Sequence, residues 1–441
     1  MTIKKRDSSA ILSSLSGGVV PSRGLQHIMV GRAEEARQIL KELKDIESGA
    51  SVTKFFIGPF GCGKTFIQAL IRQVAFTHHN FVVANADFTP ERRLYGNNGQ
   101  AVATYSELTR NLATKSFPDG GALPSILEKW ITEVQVKVME DKNYPGVDYE
   151  NENFVQDVER EINKVVSEMD ELTGGYDFAR VLVLYFKGFI EDNNELQRCA
   201  LHWLRGEYRT KTEARQDLGV RNIIDDNNYY NYIKVLTSFV RQIGYSGLVV
   251  NLDEAINLYK ITHTQARNKN YETILKMYND TLQGNLEGLY ITISGTNEFL
   301  EDERRGLFSY GALKRRLAPN KFETTEYRDL SQPAIKLTPL KIEELYVLLQ
   351  KLRDIHAAHH GYEAKVTDDE IQSFLKKEYS RPGAQENLTV GDVIRSFIQA
   401  LDILYQNPEY DRGKIFDQPA SNPANKNDKF EIGSRFQKTN G

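Results

Sequence analysis

Cysteine is nearly absent. Cys62 and Cys199 are the only two in 441 residues. Two cysteines cannot build a disulfide framework, and the count suits a reducing compartment, so a cytoplasmic location is expected. Long apolar runs are also missing. No stretch of about 18 consecutive apolar residues occurs, so no transmembrane helix is expected and no membrane partner. The opening residues, MTIKKRDSSAILSSL, lack the continuous apolar core of a signal peptide. Excess charge of one sign is absent too. Lys and Arg number 56 against 60 Asp and Glu, a net charge of −4. No global positive field draws nucleic acid, so any contact with DNA would use local basic patches.

What remains is ordinary for a globular protein: 40% apolar and 26% charged residues. The length suggests roughly three domain-sized units. KFFIG (54–58) reads as a short buried strand ending at a glycine, and TFIQALIRQVAF (65–76) places Phe66, Ile67, Leu70, Ile71 and Val74 on one helical face. FVVANADF (81–88) is a second strand candidate. Together they make a β-loop-α-β unit, the start of a parallel sheet with helices on its faces. From about 101 to 235 the spacing turns helical. Strands resume with YSGLVVNLDE (245–254) and GLYITISGT (288–296). The chain is helical again from about 336 to 406, and 407–441 is rich in Asn, Asp, Lys and Pro, as a disordered or loosely docked tail would be. The expected division is a nucleotide-binding base at 1–100 and 236–335, a helical insertion at 101–235, a lid at 336–406 and the tail.

The chemistry begins at Gly58-Pro59-Phe60-Gly61-Cys62-Gly63-Lys64-Thr65, which satisfies G-x-x-x-x-G-K-[ST]. Glycines let the backbone wrap a phosphate and aim successive N–H groups inward. The following helix adds the partial positive charge of its N-terminus. The Lys64 ammonium can reach the β- and γ-phosphates of a bound nucleotide, and the Thr65 hydroxyl can bind Mg²⁺. By accident the pattern would arise in about one or two chains in a hundred of this length. The strand before it and the amphipathic helix after it are the context the motif requires. Cys62 has two readings: a low-pKa thiol at a helix N-terminus, or a small residue that fits the loop.

A second signal is LVVNLDE. A buried strand delivers Asp253 to the sheet's C-terminal edge, where α/β sheets bind ligands. Asp253 would hold Mg²⁺, directly or through water, and Glu254 would polarise the attacking water. The next strand ends in Thr296 and Asn297, which either bond the γ-phosphate or lytic water or simply close a turn. RRGLFSYGALKRRL (304–317) clusters Lys314, Arg315 and Arg316. Such a cluster is a solvated helix face, or it offers an arginine finger to a neighbouring subunit's nucleotide. KTEARQDLGV (211–220) has the look of half a helix-turn-helix, but no basic recognition helix follows it, which favours packing.

The order VGR (30–32), phosphate loop, LDE, polar strand end, basic helix and helical lid resembles the AAA+ ATPases, and within them the initiator-like branch that includes the origin-recognition proteins. VVPSRGLQHIMVGR, ATYSELTRNL, LHWLRGEYRTKTEARQDLGV, IGYSGLVVNLDEAINLYK, ARNKNYETILKMYNDTLQG and SGTNEFLEDERRGLFSYGALKRRL narrow the likeness. They resemble the ATP-binding BrxD proteins of BREX-type bacterial phage-defence systems, over about residues 10 to 405. The resemblance implies that Val30, Gly31 and Arg32 lie near the adenine end of the nucleotide. Residues 58–65 and the following Phe66 would complete the nucleotide contacts. It implies Asn297 as the sensor on the fourth strand and Arg316 as the finger, with Arg315 the runner-up. It offers Arg395, in GDVIRSFIQALD, as a second sensor, one residue away from the usual Gly-Asp-x-Arg spacing.

The fold class expected is therefore α/β: a P-loop AAA+ parallel sheet with a large helical insertion and a C-terminal helical lid. The function expected is ATP hydrolysis coupled to assembly or DNA-directed action in phage defence, in a homo-oligomer with other defence subunits. The alternative from another class is a nucleotide-gated scaffold with little or no hydrolysis. A small-molecule kinase is a weaker third, since such enzymes seldom need a basic helix poised for a neighbour.

Overall fold

The computed structural model describes residues 3–167, 175–284, 286–324, 327–381 and 388–416. The chain forms two compact units. One gathers Met1–Glu34, Pro59–Ala69 and Thr338–Gly441, and the other Glu35–Gly58 and Leu70–Leu337.

The larger unit holds a five-stranded sheet: β1 (Val52–Ile57), β2 (Val82–Asp87), β3 (Leu248–Asp253), β4 (Leu289–Gly295) and β5 (Ala334–Lys336). The spatial order is β2-β3-β4-β1-β5, and every pairing is parallel. All residues of β3 and β4 are buried, as strands covered on both faces must be. That explains LVVNLD and LYITISG, in which consecutive apolar residues fall on both faces. The polar residues in those runs are paired across the sheet. Thr292 Oγ1 donates to Asn251 Oδ1 at 2.7 Å, and Asn251 Nδ2 to Asn85 Oδ1 at 2.9 Å. Buried Lys54 meets Glu42 at 2.6 Å, and the same carboxylate accepts from the Tyr290 hydroxyl at 2.6 Å. Unpaired, any of these would cost stability; paired, they lock the register.

Among the described residues, the chain between β2 and β3 is built of helices, from Gln100–Arg110 to Tyr229–Gln242. Their faces join the sheet in one continuous apolar core. Trp130 sets its edge against Phe239 at 5.1 Å, and Trp203 against Tyr232 at 5.5 Å. KTEARQDLGV forms the helix Lys211–Leu218, opened by a Thr210/Glu213 capping box and closed by left-handed Gly219. Its Ala214 and Leu218, one turn apart, are buried.

In the smaller unit, the helix Lys5–Ser16 packs on the helices Ile342–His360 and Val390–Gln406. That first helix carries little periodic signal, because its charged and serine-rich face hides a narrow apolar edge at Ile11 and Leu12. The helices Asp368–Tyr379 and Val390–Gln406 each start in a capping box. Of the segment 407–441, residues 407–416 are described: Arg412 pairs with Glu370 at 2.6 Å, and Phe416 is buried. The remainder lies outside the described residues. No helix among the described residues is long and apolar enough to cross a membrane.

Candidate functional site

In the smaller unit, the phosphate loop takes the shape its glycines permit. Gly61 has φ +77° and Gly63 φ +90°, a region where side chains are strained. A Cβ on Gly61 would stand 3.0 Å from Thr389 Cβ, so the loop has no room there for a larger residue. The helix Lys64–His78 begins at the lysine itself. Lys64 Nζ donates to the Pro59 carbonyl at 2.9 Å and lies 5.4 Å from the centre of the Phe60 ring, which is exposed. Thr65 faces solvent. Cys62 is buried, and burial pushes its thiol above the ordinary value. That favours the reading of Cys62 as a small residue that fits, since a reactive thiol needs the opposite shift.

Arg32 is buried against the same loop. Its guanidinium donates to the carbonyl of Cys62 at 2.8 Å, to Thr338 at 2.6 Å and to Gly31 at 3.2 Å. It clasps the loop from behind. Gly31 adopts φ +66° with the Glu344 carboxylate packed where a side chain would go, and Val30 precedes it, partly buried. Arg395 rests its guanidinium on Gly18, whose φ is +75°.

In the larger unit, the C-terminal ends of four strands meet at one edge. Ile57 pairs with Gly295 and Asp87 with Asp253, and the Gly58 N–H donates to the Gly295 carbonyl at 3.1 Å. Asp253 is nearly buried. Its Oδ1 accepts from the Ser294 hydroxyl and from the Glu254 N–H, the latter at 2.7 Å. Glu254 has φ +59°, a left-handed conformation rare for a residue with a side chain, and it is exposed. The kink sends the two carboxylates apart: Asp253 inward against β4, Glu254 outward. Thr296, 3% exposed, follows β4 directly and has a hydroxyl with no hydrogen-bond partner among the described residues. Asn297 opens the next short helix, Asn297–Glu301.

Sequence reasoning passed over two members of this edge. Ser294 was hidden in an apolar strand. Asp87 carried the same signal as Asp253, a carboxylate closing a buried strand, but no second acid followed it. Although Asp87 is exposed at the end of β2, partial loss of hydration there, and next the charge of Asp253, push its carboxyl above its ordinary value. The basic helix Gly311–Leu317 buries Leu313 and Leu317 and exposes Lys314, Arg315 and Arg316. Arg316 is held in place: Nε donates to Asn279 Oδ1 at 3.0 Å and Nη1 to the Ala312 carbonyl at 3.1 Å.

Taken separately, the loop has the chemistry to fit phosphates of a nucleoside triphosphate, and the strand edge the chemistry to fit a hard cation. A glycine-shaped loop runs into a helix N-terminus, which suits phosphate oxygens. The carboxylate of Asp253 and the hydroxyl of Thr65 are the hard oxygen donors Mg²⁺ prefers. A family model described as BREX system ATP-binding protein BrxC/D matches residues 3–419. The chain belongs to that family. It is therefore a member of an ATP-binding family of the BREX phage-defence system, on the P-loop AAA+ type of fold. A search of curated proteins found no match.

Proposed function

We propose that this chain binds ATP with Mg²⁺ and hydrolyses it, coupling nucleotide state to assembly or to DNA-directed action beside other BREX subunits. The backbone of Gly58–Thr65 and the Lys64 ammonium hold the phosphates. Thr65 and Asp253 hold Mg²⁺, which when bound neutralises charge on the phosphate oxygens. Glu254 takes the proton of the attacking water. Asn297 senses the γ-phosphate, Val30, Gly31, Arg32, Phe66 and Arg395 border the nucleotide, and Arg316, or Arg315 beside it, completes the site of a neighbouring copy.

The observation that carries this reading is the backbone at Glu254. A non-glycine residue held at φ +59° costs on the order of 1 kcal/mol or more, and such strain clusters at functional sites. A turn that only reversed the chain would do so more cheaply with glycine or asparagine. Here the strain separates a buried metal-type carboxylate from an exposed base-type one.

The test is steady-state ATP turnover of the purified chain, with and without DNA, beside Glu254→Gln. The variant should bind ATP as the parent does and turn it over on the order of 10²-fold more slowly. Parent turnover near zero with nucleotide-dependent assembly unaffected by the substitution would establish the scaffold reading in its place.

A further inference from the structure

The smaller unit contains a cluster of metal-ligating side chains that the nucleotide chemistry does not use. His356 and His360 lie one turn apart on the helix Ile342–His360, so both project from the same face. Asp402 reaches them from the helix Val390–Gln406. One ligand atom from each of the three lies within 4.8 Å of the other two. His356 is fully buried. Its Nε2 stands 3.0 Å from Asp402 Oδ1, and its Nδ1 stands 2.8 Å from the Tyr362 hydroxyl. The rings of His356 and His360 have centroids 4.5 Å apart.

We propose that His356, His360 and Asp402 form a site for a first-row divalent transition ion of the Zn²⁺ class, which ties the end of one lid helix to the other. Three observations converge on it. The donor set is two imidazoles and one carboxylate, which suits Zn²⁺ or Co²⁺ and not the all-oxygen shells of Mg²⁺ or Ca²⁺. The spacing is close to what coordination needs. Donors around a tetrahedral zinc are roughly 3.3 Å apart. His356 and Asp402 already meet that spacing, and a side-chain rotation of His360, the last residue of its helix, brings in the third. The surroundings also suit a cation. His360 sits at the negative end of the helix, where Gly361, at φ +73°, turns the chain so that Tyr362 returns to His356. Tyr362 then plays the part usually taken by an outer partner of a metal-bound histidine, accepting the Nδ1–H and leaving the Nε2 lone pair for the ion.

The competing arrangement is a packed core histidine. In that tautomer the Tyr362 hydroxyl donates to Nδ1, and Nε2–H donates to Asp402. Both bonds are satisfied without an ion. In the other tautomer the Nε2 lone pair faces a carboxylate, and only a cation between them makes that favourable. Three protein donors leave a fourth position to water.

The experiment titrates the full, untagged chain with Co²⁺ and with Zn²⁺, the latter in competition with a chromophoric chelator. The expected result is one ion per chain, with visible Co²⁺ bands of tetrahedral intensity and a higher Tm on loading. His360→Ala and Asp402→Asn, which leave the buried His356 imidazole in place, should fold as the parent does and lose the bands. Tyr362→Phe should weaken affinity by about tenfold. His359→Ala, whose imidazole instead bonds the Ser8 hydroxyl at 2.9 Å, should bind as the parent does. Absence of stoichiometric binding overturns the proposal, as does an affinity unchanged in folded His360→Ala and Asp402→Asn. Either result returns the cluster to a hydrogen-bonded core.

Discussion

In the phosphate loop, the residues proposed to face a nucleotide are consecutive, from Gly58 to Thr65. At the C-terminal edge of the sheet they come from three strands and span residues 87 to 296. The loop's shape is set mainly by what each residue allows locally, with Gly61 and Gly63 in the left-handed region and a helix starting at Lys64. The edge has almost no local code. Asp253 is placed by the pairing of β3 with β2 and β4, and Ser294 approaches it only because β4 lies alongside. A motif search finds the first kind of site and half of the second. The comparison also shows where the loop is not local: Arg32, about 30 positions upstream, holds the Cys62 carbonyl from behind.

Substitutions can break or sharpen this contrast. Lys64→Ala removes the loop's cation without altering the sheet. It should depress ATP turnover on the order of 10²- to 10³-fold, with ATP binding weakened and the circular dichroism spectrum intact. Near-normal affinity and turnover would separate the loop from nucleotide chemistry.

The next largest effect tests Arg316 across copies. Arg316→Ala should bind ATP yet hydrolyse it at least about tenfold more slowly. Mixing it with Lys64→Ala should restore part of the turnover, because each variant supplies what the other lacks. Activity proportional to concentration in a proven monomer, with no rescue on mixing, would return Arg316 to a solvated helix face.

Arg32→Ala probes the non-local part of the loop. It leaves carbonyls of Cys62 and Thr338 without their charged donor, a loss of about 2–3 kcal/mol in unfolding free energy by urea titration. Arg32→Lys should recover only part, since one ammonium cannot span three carbonyls. A change below about 0.5 kcal/mol would mean that the glycines alone shape the loop.

The smallest effect belongs to Asp87. Its folded pKa is raised, so the folded state keeps that proton to higher pH than the unfolded chain does. The parent therefore loses stability as pH rises from the ordinary aspartate range through the raised folded value. Asp87→Asn removes that loss. In nucleotide-free and Mg²⁺-free buffer it should be more stable than the parent at about pH 7 and gain little at about pH 4. An equal gain at both pH values would mean that the carboxyl's charge is not what the site penalises.

Much of the fold was legible. The strands expected at 54–58, 81–88, 245–254 and 288–296 appear as β1, β2, β3 and β4 within a few residues, because strands buried on both faces carry apolar residues on both. The strand β5 was not legible: three residues, Ala334–Lys336, have no periodicity to read, and only the exposed edge of β1 makes them a strand. The helix Lys5–Ser16 was missed for the related reason that two buried apolar side chains on one edge leave a faint pattern. At the candidate site, Lys64, Thr65, Asp253 and Glu254 stood out because their types and spacing are rare in combination. Asp87, Ser294 and the clasp of Arg32 did not, because nothing in a serine or an arginine states which distant carbonyl or carboxylate it will meet.

The sequence by itself determined the elements whose chemistry is local: a glycine-rich turn between a strand and a helix, buried parallel strands, capping boxes at the helices Asp368–Tyr379 and Val390–Gln406, and an acidic pair at a strand end. Only the tertiary structure decided the rest. It set the strand order that inserts β4 between β3 and β1, the left-handed turn that sends Glu254 away from Asp253, and the meeting of His356, His360 and Asp402 from two helices. Local order follows from backbone sterics and the 3.6- and 2-residue periods, which act within a few positions. Which strand lies beside which, and which side chains share a site, depends on how the whole apolar surface is buried at once.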